Sequence, residues 1–389
     1  MVSTGVTAAP LDLDALIDDP ERRIIVCCGA GGVGKTTTSA AIALRAAERG
    51  RKVVVLTIDP ARRLAQSMGI EALDNTPRPV PGVSDDGEGG SLDAMMLDMK
   101  RTFDEVVESQ ASPEKARQIL ENPFYVAVSS SFAGTQEYMA MEKLGQLHKD
   151  AQRSGRWDLI VVDTPPSRNA LDFLDAPERL SSFLDGRFMR LLLAPAKGPA
   201  KLMTAGFGLV TRAITTIIGA QVLGDMQAFV SAFDTLFGGF RQRAQATFEL
   251  LQAKGTAFLV VAAPEPDALR EAAYFIERLS AEDMPLAGLV LNRASTDPGP
   301  ELSEAAAEAA AERLRSGAGD ADDEDRSLAA GLLRLHADRK VMVAREHRLR
   351  ERFATSHPDV ATAVVPALST DVHDLHGLRV IGGLLSGTD

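Results

Sequence analysis

The residues with the clearest chemistry form the segment Gly29-Ala30-Gly31-Gly32-Val33-Gly34-Lys35-Thr36, whose spacing GxxxxGK[ST] is typical of a phosphate-binding loop. Its glycines let the backbone curl so that N–H groups and a helix N-terminus point at phosphate oxygens. Lys35 adds a positive charge beside the phosphates, and the Thr36 hydroxyl is suited to hold Mg²⁺. The alternative is a glycine-rich turn without a ligand. The predicted nucleotide-binding residues here are Gly29, Gly31, Gly32, Val33, Gly34, Lys35, Thr36 and Thr37.

Two aspartates end apolar runs downstream of this loop. Asp59 follows the second run of the chain, and a carboxylate at such a strand end can orient or deprotonate an attacking water. Asp163 follows Leu159–Val162, and an apolar run capped by Asp is the Walker B arrangement for holding Mg²⁺. We therefore predict Asp59 and Lys35 as catalytic residues, and Thr36 and Asp163 as metal-binding residues. A cap for the following turn is the simpler interpretation of Asp163.

Short apolar runs separated by helical patterns must position these side chains. Most runs are apolar on both faces, which is typical of buried parallel strands. Their order predicts an α/β fold, a doubly wound, mostly parallel sheet of the P-loop NTPase type with helical insertions, and a nucleotide at the carboxyl ends of the strands. An Ala-rich helix, Thr37 to Arg49, follows the phosphate loop, and Pro77–Gly90 is predicted as a loop. The predicted strands are Ile24–Cys28, Val53–Ile58, Leu92–Leu97, Leu159–Val162, Phe258–Ala262, Leu289–Leu291 and Thr362–Val365.

Composition excludes several classes of partner and site. The 389 residues include 42 Lys and Arg against 54 Asp and Glu, a net charge of -12, so we expect no nucleic-acid partner. The two cysteines, Cys27 and Cys28, are adjacent; they offer neither a disulfide framework nor a CxxC metal pair and are expected to pack as small hydrophobes. The first 20 residues lack the basic and apolar regions of a signal peptide, which predicts a cytoplasmic protein.

The motif order predicts one domain with insertions rather than two or three domains. Residues 1–20 form an N-terminal extension, and 21–389 form the P-loop domain with helical insertions at about 100–155, 178–250 and 300–355. The acidic stretch Ser316–Asp325 is expected to be a mobile surface loop. Residues 191–240 favour either core helices or a dimer surface, or an apolar groove for a hydrophobic helix of another protein. Their charged residues are only Lys197, Lys201, Arg212, Asp225 and Asp234.

Seven segments together resemble a known family, the arsenite-pump and tail-anchored-protein-targeting ATPases with their deviant Walker A loop. The chain looks most like the actinobacterial, anion-transporting-ATPase-like members, and the resemblance spans residues 24–385. The segments occur in the family's order. They are the phosphate loop, TIDPA at 57–61, Gly134–Glu137, DTPPSRNALDFL at 163–174, Pro264–Asp267, Leu289–Asn292 and Val365–Leu368.

The resemblance implies a dimer that closes around two ATP molecules. It implies that Asp59 activates water in switch I and that Asp163 belongs to switch II. It also implies that Asn292 reads the adenine edge, a bidentate pairing that an amide can make, with Pro366 and Ala367 lining the base pocket. The simpler interpretation of Asn292 is a turn cap after a strand.

The chain departs from the family's pattern in two places. Members carry a second lysine after the first glycine of the loop, which reaches the other subunit's phosphates, and here that position is Ala30. Either Arg62, Arg63 or Arg168 substitutes for it, or a paralogue bearing the lysine pairs with this chain. The paired cysteines that hold a shared zinc in eukaryotic members are also absent from 293–300.

The leading functional hypothesis is a dimeric ATPase, using ATP and Mg²⁺, that couples its nucleotide state to an apolar helical surface for hydrophobic or membrane-protein clients. The alternative is a weakly hydrolysing regulatory subunit that pairs with a paralogous ATPase. The dimer is therefore expected to be either a homodimer or such a heterodimer. An arsenite-pump role is the least supported, because trivalent arsenic requires clustered thiolates.

Overall fold

A computed structural model of the chain describes residues 9–59, 63–83, 89–122, 125–126, 135–165, 239, 242–316 and 323–387. Its centre is an eight-stranded sheet in the order β3-β4-β2-β5-β1-β6-β7-β8. Every strand pair is parallel except β3 with β4. The doubly wound α/β prediction is confirmed. The strands are β1 Ile24–Gly29, β2 Lys52–Thr57, β3 Arg78–Pro79, β4 Ser91–Met96, β5 Leu159–Asp163, β6 Thr256–Ala262, β7 Leu286–Ala294 and β8 Thr362–Pro366.

All seven predicted strands are present, and β3 is the only one of the eight described strands that was not predicted. β3 lies inside the predicted loop Pro77–Gly90 and pairs with β4 through Arg78 and Pro79. A two-residue edge strand that contains proline carries no periodic pattern, because proline donates no ladder hydrogen bond. Neither Arg78 nor Pro79 lines the cavity at the carboxyl ends of the parallel strands.

Helices cover both faces of the sheet, and the helical segment 242–252 leads into β6. The predicted helix Thr37–Arg49 is confirmed and begins two residues earlier, at Lys35. The bounds are α1 Leu13–Asp18, α2 Lys35–Glu48, α3 Arg63–Ser67, α4 Met99–Gln110, α5 Pro113–Leu120, α6 Thr135–Ser154, α7 Pro266–Ala281, α8 Glu304–Ser316, α9 Asp323–Ser356 and α10 Leu375–Ser386.

Strand β1 shows how the core is divided into two layers. Ile24, Val26 and Cys28 lie in the layer that includes α4, α6 and α7. Ile25 and Cys27 lie in the other layer, with α1, α2 and α10. Successive side chains of a strand point to opposite faces, so β1 is buried on both sides and holds the phosphate loop at the centre of the sheet.

The N-terminal segment packs on this core. Leu13 and Ile17 of α1 are fully buried, and Asp14 accepts two hydrogen bonds from the Arg45 guanidinium of α2, at 2.6 and 2.7 Å. The predicted division into an extension and one domain stays a prediction.

Two expectations fall partly outside the described residues. Of the charge-poor segment 191–240, only Gly239 is described. Within the predicted loop 316–325, residues 317–322 are not described, and α9 begins at Asp323. Among the described helices, none combines the length and the apolar character that crossing a bilayer requires.

Candidate functional site

The phosphate loop connects the carboxyl end of β1 to α2. Gly34 is the N-cap of α2 and has φ 95°. No side chain caps this end of the helix, so the N–H groups of its first turn are left for a ligand. Gly29 has φ 147°, and a Cβ there would lie 2.1 Å from the Val261 carbonyl oxygen of β6. These two positions require glycine, one for the turn and one for the close approach of β6.

Lys35 lies folded over its own loop. Its Nζ donates hydrogen bonds to the carbonyl oxygens of Gly29, at 2.9 Å, and Ala30, at 2.8 Å. An ammonium has three donors, so these bonds leave one for a phosphate oxygen. Burial lowers the pKa of Lys35 from its ordinary value, and the nearby Asp163 and Asp59 carboxylates partly oppose that shift. The lysine is therefore held rigidly and poorly solvated, which strengthens its interaction with an anion.

Asp163 is completely buried behind Thr36, at the end of β5. Its Oδ2 accepts hydrogen bonds from the Thr36 hydroxyl at 2.8 Å and from the Thr57 hydroxyl at 2.9 Å. Its Oδ1 is buried and has no hydrogen-bond partner. Burial raises the pKa of Asp163 to about 6, although both hydroxyl hydrogen bonds act to lower it.

These atoms fit a hard divalent cation. The orphaned Asp163 Oδ1 and the Thr36 hydroxyl oxygen are oxygen donors, which Mg²⁺ prefers. A cation would also offset the desolvation that raises the pKa of Asp163. Thr57 could not be predicted as a site residue, because its role depends on β2 lying next to β5 in the sheet.

Asn292 of β7 reaches the phosphate loop from the other side. Its Nδ2 donates to the Val33 carbonyl oxygen at 2.9 Å, and the residue is 7% exposed. The contact is close, since a Cβ on Gly34 would lie 2.2 Å from Nδ2. That bond uses one of the two amide N–H donors. Asn292 therefore positions the loop, and the predicted adenine contact stays a prediction.

A cavity of about 690 Å³ runs along this edge of the sheet. Its walls bring together predicted residues from four parts of the chain: the loop and first turn of α2, the end of β2, β7 and the end of β8. Four predicted residues do not line it: Asp163 is buried at the end of β5, Val33 is a buried residue of the loop itself, Gly29 ends β1, and Gly31 is exposed. The predicted residues that line it are Gly32, Gly34, Lys35, Thr36, Thr37, Asp59, Asn292, Pro366 and Ala367.

The cavity also includes residues that sequence reasoning did not place in the site. Arg63, which the sequence suggests only as a substitute cation, lines the cavity with Lys35 and Asp59. Arg62 and Arg168 lie outside the described residues. The polar loop after β8 was a detectable signal, because it follows a predicted strand at the ligand-binding edge. Thr164, which belongs to the family-like segment 163–174, also lines the cavity. The added residues are Arg63, Gln66, Ser67, Arg293, Leu368, Thr370, Asp371, Val372, His373 and Ile381.

The two cysteines do not form a soft-metal site. Both are buried, in opposite core layers, and burial raises the pKa of each thiol to about 12. No group of three or more His, Cys, Asp or Glu side chains suited to a metal ion occurs in the part of the chain that is described. The expectation that the cysteines pack as small hydrophobes is confirmed.

Comparisons with known proteins identify relatives that are described as ATPases. A family model described as anion-transporting ATPase matches residues 22–308. The chain is 25% identical over 291 residues to an ATPase GET3 of Kluyveromyces lactis, covering 72% of this chain and 75% of that protein. It is 29% identical over 177 residues to an ATPase GET3 of Malassezia globosa, covering 46% and 49%.

A third relative is an arsenical pump-driving ATPase of Acidiphilium multivorum, 31% identical over 159 residues, which are 40% of this chain and 26% of that protein. The matches thus span from 26% to 75% of the length of these curated relatives. The region matched by the family model contains the phosphate loop, Asp59, Asp163 and Asn292.

Proposed function

This chain belongs to the anion-transporting ATPase family, and from that premise we propose that it binds ATP with Mg²⁺ and hydrolyses the terminal phosphate. One observation carries the proposal: a single cavity joins the phosphate loop, the carboxylate of Asp59 and the β7–β8 residues Asn292, Pro366 and Ala367. A nucleoside triphosphate matches this arrangement, because its polyphosphate lies at one end, as the phosphate loop does, and its flat base lies at the other.

Lys35 and the uncapped start of α2 support the proposal that this end of the cavity binds the phosphates. Both present N–H donors to an anion, and a helix N-terminus carries a partial positive charge. Thr36 and Asp163 would hold the Mg²⁺, which neutralises charge on the phosphate oxygens when bound. Thr57 keeps the Asp163 carboxylate oriented through its 2.9 Å hydrogen bond.

Asp59 is the proposed residue that positions and deprotonates the attacking water. It lines the cavity after β2, and its charge acts on both Lys35 and Asp163. A carboxylate near the terminal phosphate accepts the proton that water must lose as it attacks. The water's oxygen then bonds to phosphorus as the bond to the ADP oxygen breaks.

Steady-state ATPase measurement on the full chain tests this proposal. We expect Asp59→Asn to bind ATP and lose about 100-fold or more in turnover, and Lys35→Ala to lose ATP binding. Asp98→Asn is the matched control, because Asp98 also follows a strand of the sheet, is exposed and does not line the cavity. Equal turnover of the wild type and Asp59→Asn refutes the catalytic role of Asp59.

The finer proposal is a dimer that closes around two ATP molecules and couples nucleotide state to a hydrophobic client. The support is the family membership and the scarcity of charge in residues 191–240. Binding of a transmembrane peptide, measured with and without ATP, tests it. The wild type should bind, and a chain lacking residues 199–239 should not; equal binding by both refutes the client role of this segment.

A second candidate function is a regulatory subunit that hydrolyses ATP only beside a paralogue. The observation that favours it is Ala30, at a position where the family pattern has a second lysine; Ala30 is 8% exposed and supplies a carbonyl to Lys35. This function predicts ATP binding without turnover until the paralogue is added. A rate increase in the isolated Ala30→Lys chain would instead show that the missing cation limits this subunit.

A further inference from the structure

The hairpin of α8 and α9 has one face that its own packing does not use. The two helices pack through small residues, since Ala307 and Ala311 of α8 and Ala330 and Ala337 of α9 are all buried. This close packing covers only one side of α9. The opposite side carries large apolar residues.

We call that row of residues the outer stripe: Leu328, Leu332, Leu335 and Met342, which are 63%, 59%, 60% and 53% exposed. Their spacings of four, three and seven place them on one helix face, and they repeat as in the seam of a coiled coil. Scattered exposed apolar residues are normal on a protein surface, whereas an aligned row of this kind marks an interaction site.

The charges beside the outer stripe indicate the partner. The start of α9 is acidic, with Glu324 and Asp325 exposed. Its middle is basic on balance, because the exposed Arg339 and Arg345 outnumber the one exposed acid between 326 and 345, Asp338. A helix that lies antiparallel on α9 with the same charge order would place acid against base at both ends. A second copy of α9 meets this requirement.

We propose that α9 pairs antiparallel with α9 of a second copy of this chain. A two-fold axis that passes between positions 332 and 335 places Leu332 of each copy against Leu335 of the other copy. The same axis places Glu324 of one copy beside Arg345 of the second copy, and the pair occurs twice. The long Arg339 side chain lies over Leu328 of the second copy, where its stem covers apolar surface. The interface uses no residue of the nucleotide cavity, so it forms without nucleotide.

The first test is the dissociation constant of the nucleotide-free full chain, measured by sedimentation equilibrium in EDTA. The double substitution Leu332→Gln with Leu335→Gln should raise it by about 100-fold or more, because each loss of apolar burial occurs twice in the dimer. Tyr274→Ser is the matched control, since Tyr274 is 55% exposed on α7; it should leave the dissociation constant unchanged. Lys35→Ala should also leave it unchanged, which separates this interface from the proposed ATPase function.

The second test uses charge and serves also if the leucine variant fails to fold. Glu324→Arg alone and Arg345→Glu alone should each weaken the dimer by roughly 3- to 10-fold, because like charges then face each other twice. An equimolar mixture of the two variants should restore the wild-type affinity, because every pair in the mixed dimer is again opposite in charge. Three results would overturn the proposal. They are a monomeric nucleotide-free wild type at its highest soluble concentration, a dimer that the leucine substitutions leave intact, and a mixture that binds no better than either variant.

Discussion

The contact between Asn292 and the phosphate loop allows a quantitative prediction. Gly34 has φ 95°, and a Cβ added to it would lie 2.2 Å from the Asn292 Nδ2 atom. Gly34→Ala must therefore displace the amide from its 2.9 Å hydrogen bond to the Val33 carbonyl. Gly32 is the matched control, because it has φ 80° and a Cβ there would meet nothing within 4 Å.

The expected losses of unfolding free energy follow from the positive φ angles of the two glycines and from the Asn292 contact that only Gly34 makes. A left-handed alanine costs about 1–2 kcal/mol, partly offset by about 0.4–1 kcal/mol from the less flexible unfolded chain. Gly32→Ala should thus lose about 1 kcal/mol of unfolding free energy. Gly34→Ala should lose about 3 kcal/mol, because breaking the Asn292 bond and leaving the buried Val33 carbonyl unpaired adds about 2 kcal/mol.

A double-mutant cycle in urea tests this account. Asn292→Ala removes the same hydrogen bond and the obstacle together, so it should cost about 2 kcal/mol alone. The combination with Gly34→Ala should then cost about 3 kcal/mol rather than the additive value of about 5 kcal/mol. Additive losses, or equal losses for Gly34→Ala and Gly32→Ala, would refute the reasoning that Asn292 positions the loop through this contact.

Three further predictions concern the frame of the site. Gly29→Ala should destabilise the protein by about 3 kcal/mol or more in thermal or urea unfolding, well above Gly32→Ala, since its Cβ would lie 2.1 Å from the Val261 carbonyl oxygen. The Arg45 hydrogen bond lowers the pKa of Asp14 below 3.8, so its stabilisation is complete above pH 3.8 and is lost as pH falls through the folded-state pKa. Asp14→Asn should therefore reduce the unfolding free energy at neutral pH but not in strong acid. Cys27 and Cys28, buried with thiol pKa values raised to about 12, should resist a thiol reagent at neutral pH in the native chain and react once urea unfolds it; rapid native labelling would contradict their burial.

Much of the sheet was predictable because its signals are local. Seven parallel strands appear as apolar runs, and burial on both faces leaves such runs almost free of polar residues. The phosphate loop was equally visible, since its glycines and Lys35 act within eight residues of one another. β3 was not predictable, because a pairing of Arg78 and Pro79 depends on the neighbouring β4 rather than on any pattern of its own.

The sequence by itself determined the α/β class, the loop at the end of β1 and the placement of Asp59 and Asp163 at the ends of two strands. Only the tertiary structure decided which side chains meet there. Thr57 bonds Asp163 across 106 residues, and Asn292 bonds Val33 across 259. Both contacts exist because the sheet sets β2 beside β5 and extends through β6 to β7, an order that depends on packing between distant segments and leaves no periodic trace in the chain.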